Sequence, residues 1–125
     1  MDLSLSETQQ LLKRGVEDFL AREATRDAIL EVERTDAGYS SDMWRTAAEI
    51  GWLGMVTPEV YGGSGALLTD VAVVFEGLGR GPVPGPFFSS GVLAPLITAE
   101  AGTEEQRAHA GCPRSPRGTR SRRWR

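Results

Sequence analysis

Five glycines occupy the fifteen residues GWLGMVTPEVYGGSG, positions 51 to 65, and this density points to one of two uses of the backbone. Glycines let backbone N–H groups close around a phosphate, or they permit a tight structural turn. A phosphate-binding loop needs four residues between its glycines, followed by lysine and then serine or threonine. Lys13 is the only lysine of the chain. The spacing therefore predicts a structural turn, in which Trp52, Pro58 and Tyr61 pack against neighbouring helices.

A second glycine motif, GLGRGP at residues 77 to 82, has part of the spacing of a dinucleotide-binding fingerprint. Its third glycine is misplaced, a proline stands where the helix of that fingerprint would continue, and no parallel strand is predicted before it. The reactive side chains are equally sparse. One cysteine, Cys112, excludes an internal disulfide and a multi-cysteine zinc site, and one histidine, His109, leaves no metal cluster. We therefore expect no metal ligand in this chain, and most hydrolase chemistry is disfavoured.

Composition and charge describe a protein with two unlike parts. The 125 residues are 40% apolar and 25% charged, which is ordinary for one globular domain. All acidic side chains lie before residue 107, whereas the last 19 residues contain seven arginines and no acid. No apolar run approaches the roughly 18 residues of a membrane span, and the N-terminus lacks the order of a secretory signal. These features predict a cytoplasmic protein whose body is acidic and whose tail is basic.

The elements that position these residues are predicted to be helices. Ser6 and Gln9 form a capping box that begins the first helix, and Thr69 is expected to cap the third. Three prolines in GPVPGP, residues 81 to 86, must interrupt regular structure. The apolar spacing predicts helices over about residues 7–33, from Ser41 to about residue 50, over residues 70–79, and from about Phe87 to Ala101. Thr103 and Gln106 announce a fifth helix, which the following residues do not develop.

The fold class expected from these patterns is all-α, a helical bundle with short connections. VAVVF, residues 71 to 75, is also compatible with a strand because it is rich in β-branched residues. The apolar spacing that continues to Leu78 favours a helix.

The order of motifs adds a resemblance to a known family. WRTAAEIGWLGMVTPEVYGGSG, residues 44 to 65, is similar to the N-terminal domain of the acyl-CoA dehydrogenases, and the similarity continues through VFEGLGRGPVPGPFFSS to AGTEEQR. Residues 1–107 therefore resemble that helical domain. The resemblance implies that the glycines form a turn between helices, beside the next domain of such an enzyme.

Members of this family are FAD enzymes that remove two hydrogens from an acyl-CoA thioester. The resemblance implies that a glutamate takes the α proton and that the flavin accepts the hydride. Both the flavin site and the glutamate belong mainly to the later domains of a family member, so this chain alone is expected to bind no FAD and to be inactive. Glu59 and Glu76 are expected to be surface or packing residues, not substitutes for that base. Homo-oligomers or hetero-oligomers with dehydrogenase subunits are implied as partners.

The resemblance also implies substrate-pocket residues on the helix after the proline-rich segment, where the acyl chain runs in this family. The matching positions are Phe87, Ser90, Leu93 and Ala94. Phe87 and Phe88 shape such a pocket or are simply core aromatics, and the sequence leaves both possibilities open.

Residues 108–125 depart from the family pattern. Their prolines, glycines and arginines predict a disordered basic tail. Permitted codons for residues 109–125, shifted by two bases, encode RWLPAIAEGHAIAALA, which is how a family member would continue. We therefore hypothesise that the tail is out-of-frame translation. A non-specific nucleic-acid arm and a plain disordered end are the alternatives. A different functional hypothesis is a non-catalytic helical module that docks onto a flavoprotein subunit.

Overall fold

The structure, a computed structural model, describes residues 4–110, and all regular elements in this range are helical. The all-α prediction is therefore confirmed for this part of the chain. The helices are α1 (Glu7–Glu23), α2 (Arg26–Glu33), α3 (Ser41–Glu49), α4 (Leu68–Arg80), a π-helix (Ser89–Leu93), α5 (Ala94–Ala101) and α6 (Glu104–Ala110), with short 3₁₀ turns at Trp52–Gly54 and Glu59–Tyr61. None of the helices between residues 4 and 110 combines the length and apolar character that a membrane span requires.

The predicted first helix, residues 7–33, is wrong in one respect because it is two helices. The Ser6–Gln9 capping box begins α1 as predicted. Ala24 then leaves helical geometry, with φ −107° and ψ 46°, and α2 begins behind Thr25. The Thr25 hydroxyl accepts a hydrogen bond from the N–H of Ala28 at 3.4 Å. Because threonine side chains cap helix N-termini well, this residue allows a new helix to start within an otherwise continuous pattern.

Helix α4 is confirmed as a helix, but its predicted cap is wrong. Leu67, not Thr69, is the residue before the helix. Its N–H donates to Asp70 Oδ2 at 3.1 Å, so the carboxylate satisfies a backbone donor that helical bonding leaves free. The spacing predicts an apolar face of Val71, Val74, Phe75 and Leu78; three of these are buried, and Phe75 is partly buried.

The expectation that a fifth helix would not develop after Thr103 is wrong, because α6 forms there. The Thr103–Gln106 capping box forms in both directions, at 2.8 and 3.3 Å. Glu104 and Glu105 lie in the first turn, where the helix dipole favours acidic side chains. Helix α6 includes residues 108–110. The domain boundary between residues 107 and 108 stays a prediction, and residues 111–125 lie outside the described residues.

The core is one continuous cluster in which every long helix takes part. Val16 of α1, Ala47 of α3 and Val74 of α4 are at most 1% exposed. Aromatic contacts join distant segments of the cluster: the rings of Phe19 and Trp52 meet edge to face, with centroids 5.1 Å apart. The other buried members are Phe19, Ala24, Met43, Trp44, Trp52, Leu53, Met55, Val56, Val71, Leu78, Phe87 and Val92.

Candidate functional site

The glycine-rich loop uses its backbone donors internally. The N–H groups of residues 62–66 donate in succession to the carbonyls of Glu59, Pro58, Gly54, Thr57 and Met55, at 2.7 to 3.2 Å. A phosphate cradle requires the opposite arrangement, with successive N–H groups free to point at the ligand. The prediction that these glycines are structural is therefore confirmed.

Two of the glycines show what the turn demands. Gly62 has φ 88°, in the left-handed region that favours glycine. Gly63 allows close backbone approach, because a Cβ atom there would lie 2.0 Å from the carbonyl oxygen of Thr57. Tyr61 extends from this loop to α6, where its hydroxyl donates to the Glu104 carboxylate at 3.1 Å. The loop thus fixes the position of α6.

This loop does not fit the pyrophosphate of a flavin dinucleotide. The N–H groups of residues 62–66 already have partners, and Thr57, which carries a hydroxyl in this loop, is only 1% exposed. Within residues 4–110, no group of three or more histidine, cysteine or acidic side chains could hold a metal ion. No chemical step is therefore assigned to a bound group at this loop.

Phe87 and Phe88 are adjacent on the helix that follows the proline-rich segment, but their burial differs. Phe87 is 5% exposed, and its ring centroid lies 5.3 Å from that of Trp44. Phe88 is 59% exposed, and its ring makes an edge contact with Phe75 at a centroid distance of 6.2 Å. Of the two, only Phe87 is a core aromatic.

The other three predicted pocket residues share the outward side of this helix. Ser90 is half-buried, Leu93 is 43% exposed, and Ala94 is exposed. Ile97, which the sequence analysis did not select, continues the same side at 57% exposure. The spacing of these positions follows the i, i+3, i+4, i+7 rule for one helix face. We call Ser90, Leu93, Ala94 and Ile97 the outward face. The spacing of these four residues in the sequence was sufficient to place Ile97 on the same helix face as the other three.

The π-helix at the start of this face was not predicted. Ser90 N–H donates to the Pro86 carbonyl at 2.9 Å, as in an α-helix. Four residues later the ladder widens, because Ala94 N–H donates to the Ser89 carbonyl, five residues back. Pro95 is the next residue after Ala94 in the chain and has no backbone N–H that could donate a hydrogen bond. A single wide turn before a proline is a common accommodation, and such turns often occur at functional sites.

A groove lies where the outward face meets α6. Its volume is about 560 Å³, and it is lined by Ile97, Thr98, Ala101, Gly102, Glu105, Gln106 and His109. α5 contributes the apolar Ile97 and Ala101 together with Thr98, and α6 contributes the polar Glu105, Gln106 and His109. Ile97 belongs to both groove and outward face, so the two surfaces are continuous. Phe87, Ser90, Leu93 and Ala94 do not line this groove, and their role in a substrate pocket stays a prediction.

A second groove, of about 550 Å³, lies between α1 and the end of α3. Leu11 and Ile50 form its exposed apolar part, at 63% and 47% exposure. Asp18, Arg22 and Glu23 lie along its edge. It lies on other helices than the outward face, so this groove and the groove beside α6 are separate.

Known proteins resemble the chain in both sequence and structure. The family profile described as "Acyl-CoA dehydrogenase, N-terminal domain" matches residues 6–111. The acyl-CoA dehydrogenase IpdE2 of Mycolicibacterium smegmatis is 33% identical over 102 residues, which cover 81% of this chain and 32% of that protein. The chain thus spans about a third of the length of this relative.

Two solved structures share the fold. A steroid ACAD variant of Tcur3481 and Tcur3483 has a TM-score of 0.78 and 32% identity, covering 86% of this chain and 30% of that chain. The ChsE4–ChsE5 complex from Mycobacterium tuberculosis has a TM-score of 0.80 and 26% identity, and the match covers 89% of this chain and 30% of that chain. Because the family profile covers most of the chain and the folds agree, this chain belongs to the acyl-CoA dehydrogenase family, whose N-terminal domain it contains.

Proposed function

We propose that this chain supplies the N-terminal domain of an FAD-dependent acyl-CoA dehydrogenase, which oxidises the α and β carbons of an acyl-CoA thioester. The observation that carries the proposal is the match of residues 6–111 to that domain. FAD serves such an enzyme as the hydride acceptor. The proposal assigns FAD and the catalytic base to other parts of the enzyme, and it expects the 125 residues alone to be inactive and, as the sequence predicts, cytoplasmic.

Within that enzyme, the outward face is proposed to form part of the wall of the acyl-chain pocket. Leu93, Ala94 and Ile97 offer apolar surface to the acyl chain, and pockets of this kind are lined mainly by such side chains. Phe87 is proposed to support this wall from the core side, because its ring contact with Trp44 holds the helix against the core. A solved structure named as a steroid ACAD supports an acyl group of steroid origin as the substrate class.

A hybrid enzyme tests this function. Residues 1–107 of this chain would replace the matched N-terminal segment of IpdE2 from Mycolicibacterium smegmatis. We expect the hybrid to bind FAD and to oxidise an acyl-CoA substrate of the parent, whereas the isolated 125-residue chain shows neither a flavin spectrum nor turnover. A hybrid that folds and binds FAD but leaves every acyl-CoA unoxidised would contradict the proposal.

Two tryptophan variants of the hybrid test the pocket wall. Leu93→Trp should lower kcat/KM about tenfold or more for the bulkiest acyl group, because filling an apolar pocket excludes the larger substrate. Leu11→Trp is the matched control, since Leu11 is also exposed but lies on α1, in the other groove. Equal losses of kcat/KM in Leu93→Trp and Leu11→Trp would argue against the outward face as part of the pocket wall.

A second candidate is a non-catalytic module that docks onto a flavoprotein subunit. Val60, Leu67 and Leu68 favour it, because they are 81%, 68% and 60% exposed and such apolar surface commonly marks an interface. Both solved relatives are named as two-component proteins, which supports a hetero-oligomer. Co-purification of the full chain with a flavoprotein whose turnover does not depend on it would favour the module over the enzyme.

Out-of-frame translation of residues 109–125 remains our hypothesis for the basic tail. DNA sequencing from the codon of Thr103 through several hundred bases downstream tests it. A shifted frame that continues into flavin-binding and helical segments supports the hypothesis. A different codon set at these positions would refute it, and a chain lacking residues 108–125 would then test the basic arm for loss of nucleic-acid binding.

A further inference from the structure

The groove between α1 and the end of α3 exposes apolar side chains. Leu11 and Ile50 are 63% and 47% exposed, and Leu12 and Trp52 also line the groove. Its volume of about 550 Å³ lies in the range of pockets that hold a small ligand, so an indole ring fits within it. All of these residues belong to the N-terminal half of the chain, so the groove is complete within the described residues.

Two carboxylates at this groove have no ion-pair partner within residues 4–110. They belong to Asp18 and Glu23, which line it together with Arg22. Arg22 is engaged elsewhere, since its Nε donates to the backbone carbonyl of Asp18 at 3.3 Å. The groove thus combines apolar surface with two negative charges. An occupant that matches both features carries a large apolar side chain between cations.

The segment RRWR, residues 122–125, has this composition. Trp124 is the only large apolar side chain after residue 110, and residues 111–125 carry six arginines and no acid. An indole is suited to a groove that is partly open to water, because it pairs a large apolar surface with one polar N–H.

The length of chain after α6 is sufficient to reach the groove. Trp124 follows Ala110, the last residue of α6, by 14 residues. Fully extended, this length spans about 45 to 50 Å. A folded domain of this size has a radius of gyration of about 13 Å. Trp124 can therefore contact a groove on any side of the domain to which it is attached.

We propose that Trp124 docks into the α1–α3 groove of its own chain, with Arg123 and Arg125 beside Asp18 and Glu23. Attachment through a short segment gives Trp124 an effective concentration in the millimolar range at the groove. A contact with a Kd of about 1 mM is then formed in about half of the molecules. The inference concerns only residues of this chain, so it depends neither on the proposed function nor on the reading frame from which residues 109–125 arose.

Nuclear magnetic resonance of the full chain with and without the indole measures this docking. Trp124→Ala is compared with the unaltered 125-residue chain at low salt. We expect the amide resonances of Leu11 and Ile50 to differ between the two proteins, because the ring lies against them in only one. Thr98 and Gln106 are the internal controls, since they line the groove beside α6 and should not change.

Two double variants that change the net charge equally test the role of the carboxylates. Asp18→Asn with Glu23→Gln should lower the docking equilibrium constant about 2- to 30-fold, which is the range for two exposed ion pairs. Glu33→Gln with Asp36→Asn is the matched control, because both side chains are exposed and lie outside the groove. Raising NaCl from about 0.05 to about 1 M should weaken docking in the unaltered chain, since salt screens exposed charges.

Each outcome either supports or overturns the docking of Trp124. Identical Leu11 and Ile50 resonances in Trp124→Ala and the unaltered chain overturn it, as do differences confined to Thr98 and Gln106. Loss of the differences on about tenfold dilution also overturns it, because the groove would then bind a second copy of the chain. Equal effects of the two double charge variants overturn the pairing with the groove carboxylates. Differences at the groove that survive dilution and decrease only in the groove variant support the proposal.

Discussion

Gln9 and Asp70 join the first turns of α1 and α4 across 61 residues of sequence. Gln9 Nε2 donates to Asp70 Oδ1 at 2.9 Å. Each side chain also serves its own helix start, because Gln9 Oε1 accepts from the Ser6 N–H and Asp70 Oδ2 accepts from the Leu67 N–H. Two local caps are thereby linked in one part-buried network.

This network predicts a measurable coupling. The single variants Gln9→Ala and Asp70→Ala and the double variant are compared by urea denaturation of the full chain. We expect a coupling free energy of about 0.5 to 1.5 kcal/mol. Each single variant loses the Gln9–Asp70 hydrogen bond, whereas the double variant loses the same bond only once, so the two single effects add up to more than the double effect. Gln10→Ala is the control, because Gln10 bonds the nearby Leu5 carbonyl and should show no coupling to Asp70. Strictly additive effects of Gln9 and Asp70 would contradict the network.

Two glycines of α4 should respond oppositely to alanine. A Cβ atom at Gly77 would lie 2.2 Å from Cγ1 of Val16, whereas a Cβ atom at Gly79 would meet nothing within 4 Å. We expect Gly77→Ala to reduce the free energy of unfolding by about 1 to 3 kcal/mol through overpacking. Gly79→Ala should increase it by up to about 1 kcal/mol, because alanine favours the helix. Chemical denaturation measures both, and stabilisation by Gly77→Ala would show that α1 and α4 are less closely packed.

The adjacent aromatics Phe87 and Phe88 should differ strongly in their contribution to stability. Phe87→Ala removes a buried ring that packs on Trp44 and should cost about 3 to 5 kcal/mol. Phe88→Ala removes a mainly exposed ring with one edge contact and should cost about 0.5 to 1.5 kcal/mol. Thermal and urea unfolding compare them. Similar losses would mean that the helix is rotated relative to the arrangement described.

The bond between Tyr61 and Glu104 should control the opening of α6. Tyr61→Phe keeps the ring but removes the hydroxyl that holds α6 to the glycine-rich loop. We expect faster hydrogen exchange of the α6 amides, with a global free energy of unfolding changed by less than about 1 kcal/mol, since the bond is exposed. Tyr39→Phe is the control, because Tyr39 contacts Trp44 by its ring and does not contact α6. Unchanged exchange in α6 would show that this anchor is unimportant.

The sequence by itself determined the parts of this protein that depend on a few neighbouring residues. The Ser6–Gln9 and Thr103–Gln106 boxes were predictable because each closes within four residues. The apolar spacing of α4 identified its buried face, and the composition of the glycine-rich loop excluded a phosphate cradle. The order of its motifs indicated the family. These features are local or linear, so no partner helix is needed to recognise them.

Tertiary structure decided what local patterns leave undetermined. Phe87 and Phe88 have the same side chain in adjacent positions, and only the contact with Trp44 buries one of them. The π-helix Ser89–Leu93 precedes Pro95 and packs closely on Leu53, since a Cβ atom at Gly91 would lie 3.1 Å from Leu53 Cδ2. Packing between segments distant in sequence therefore decides which of these two adjacent aromatic side chains is buried, a choice that the sequence left open.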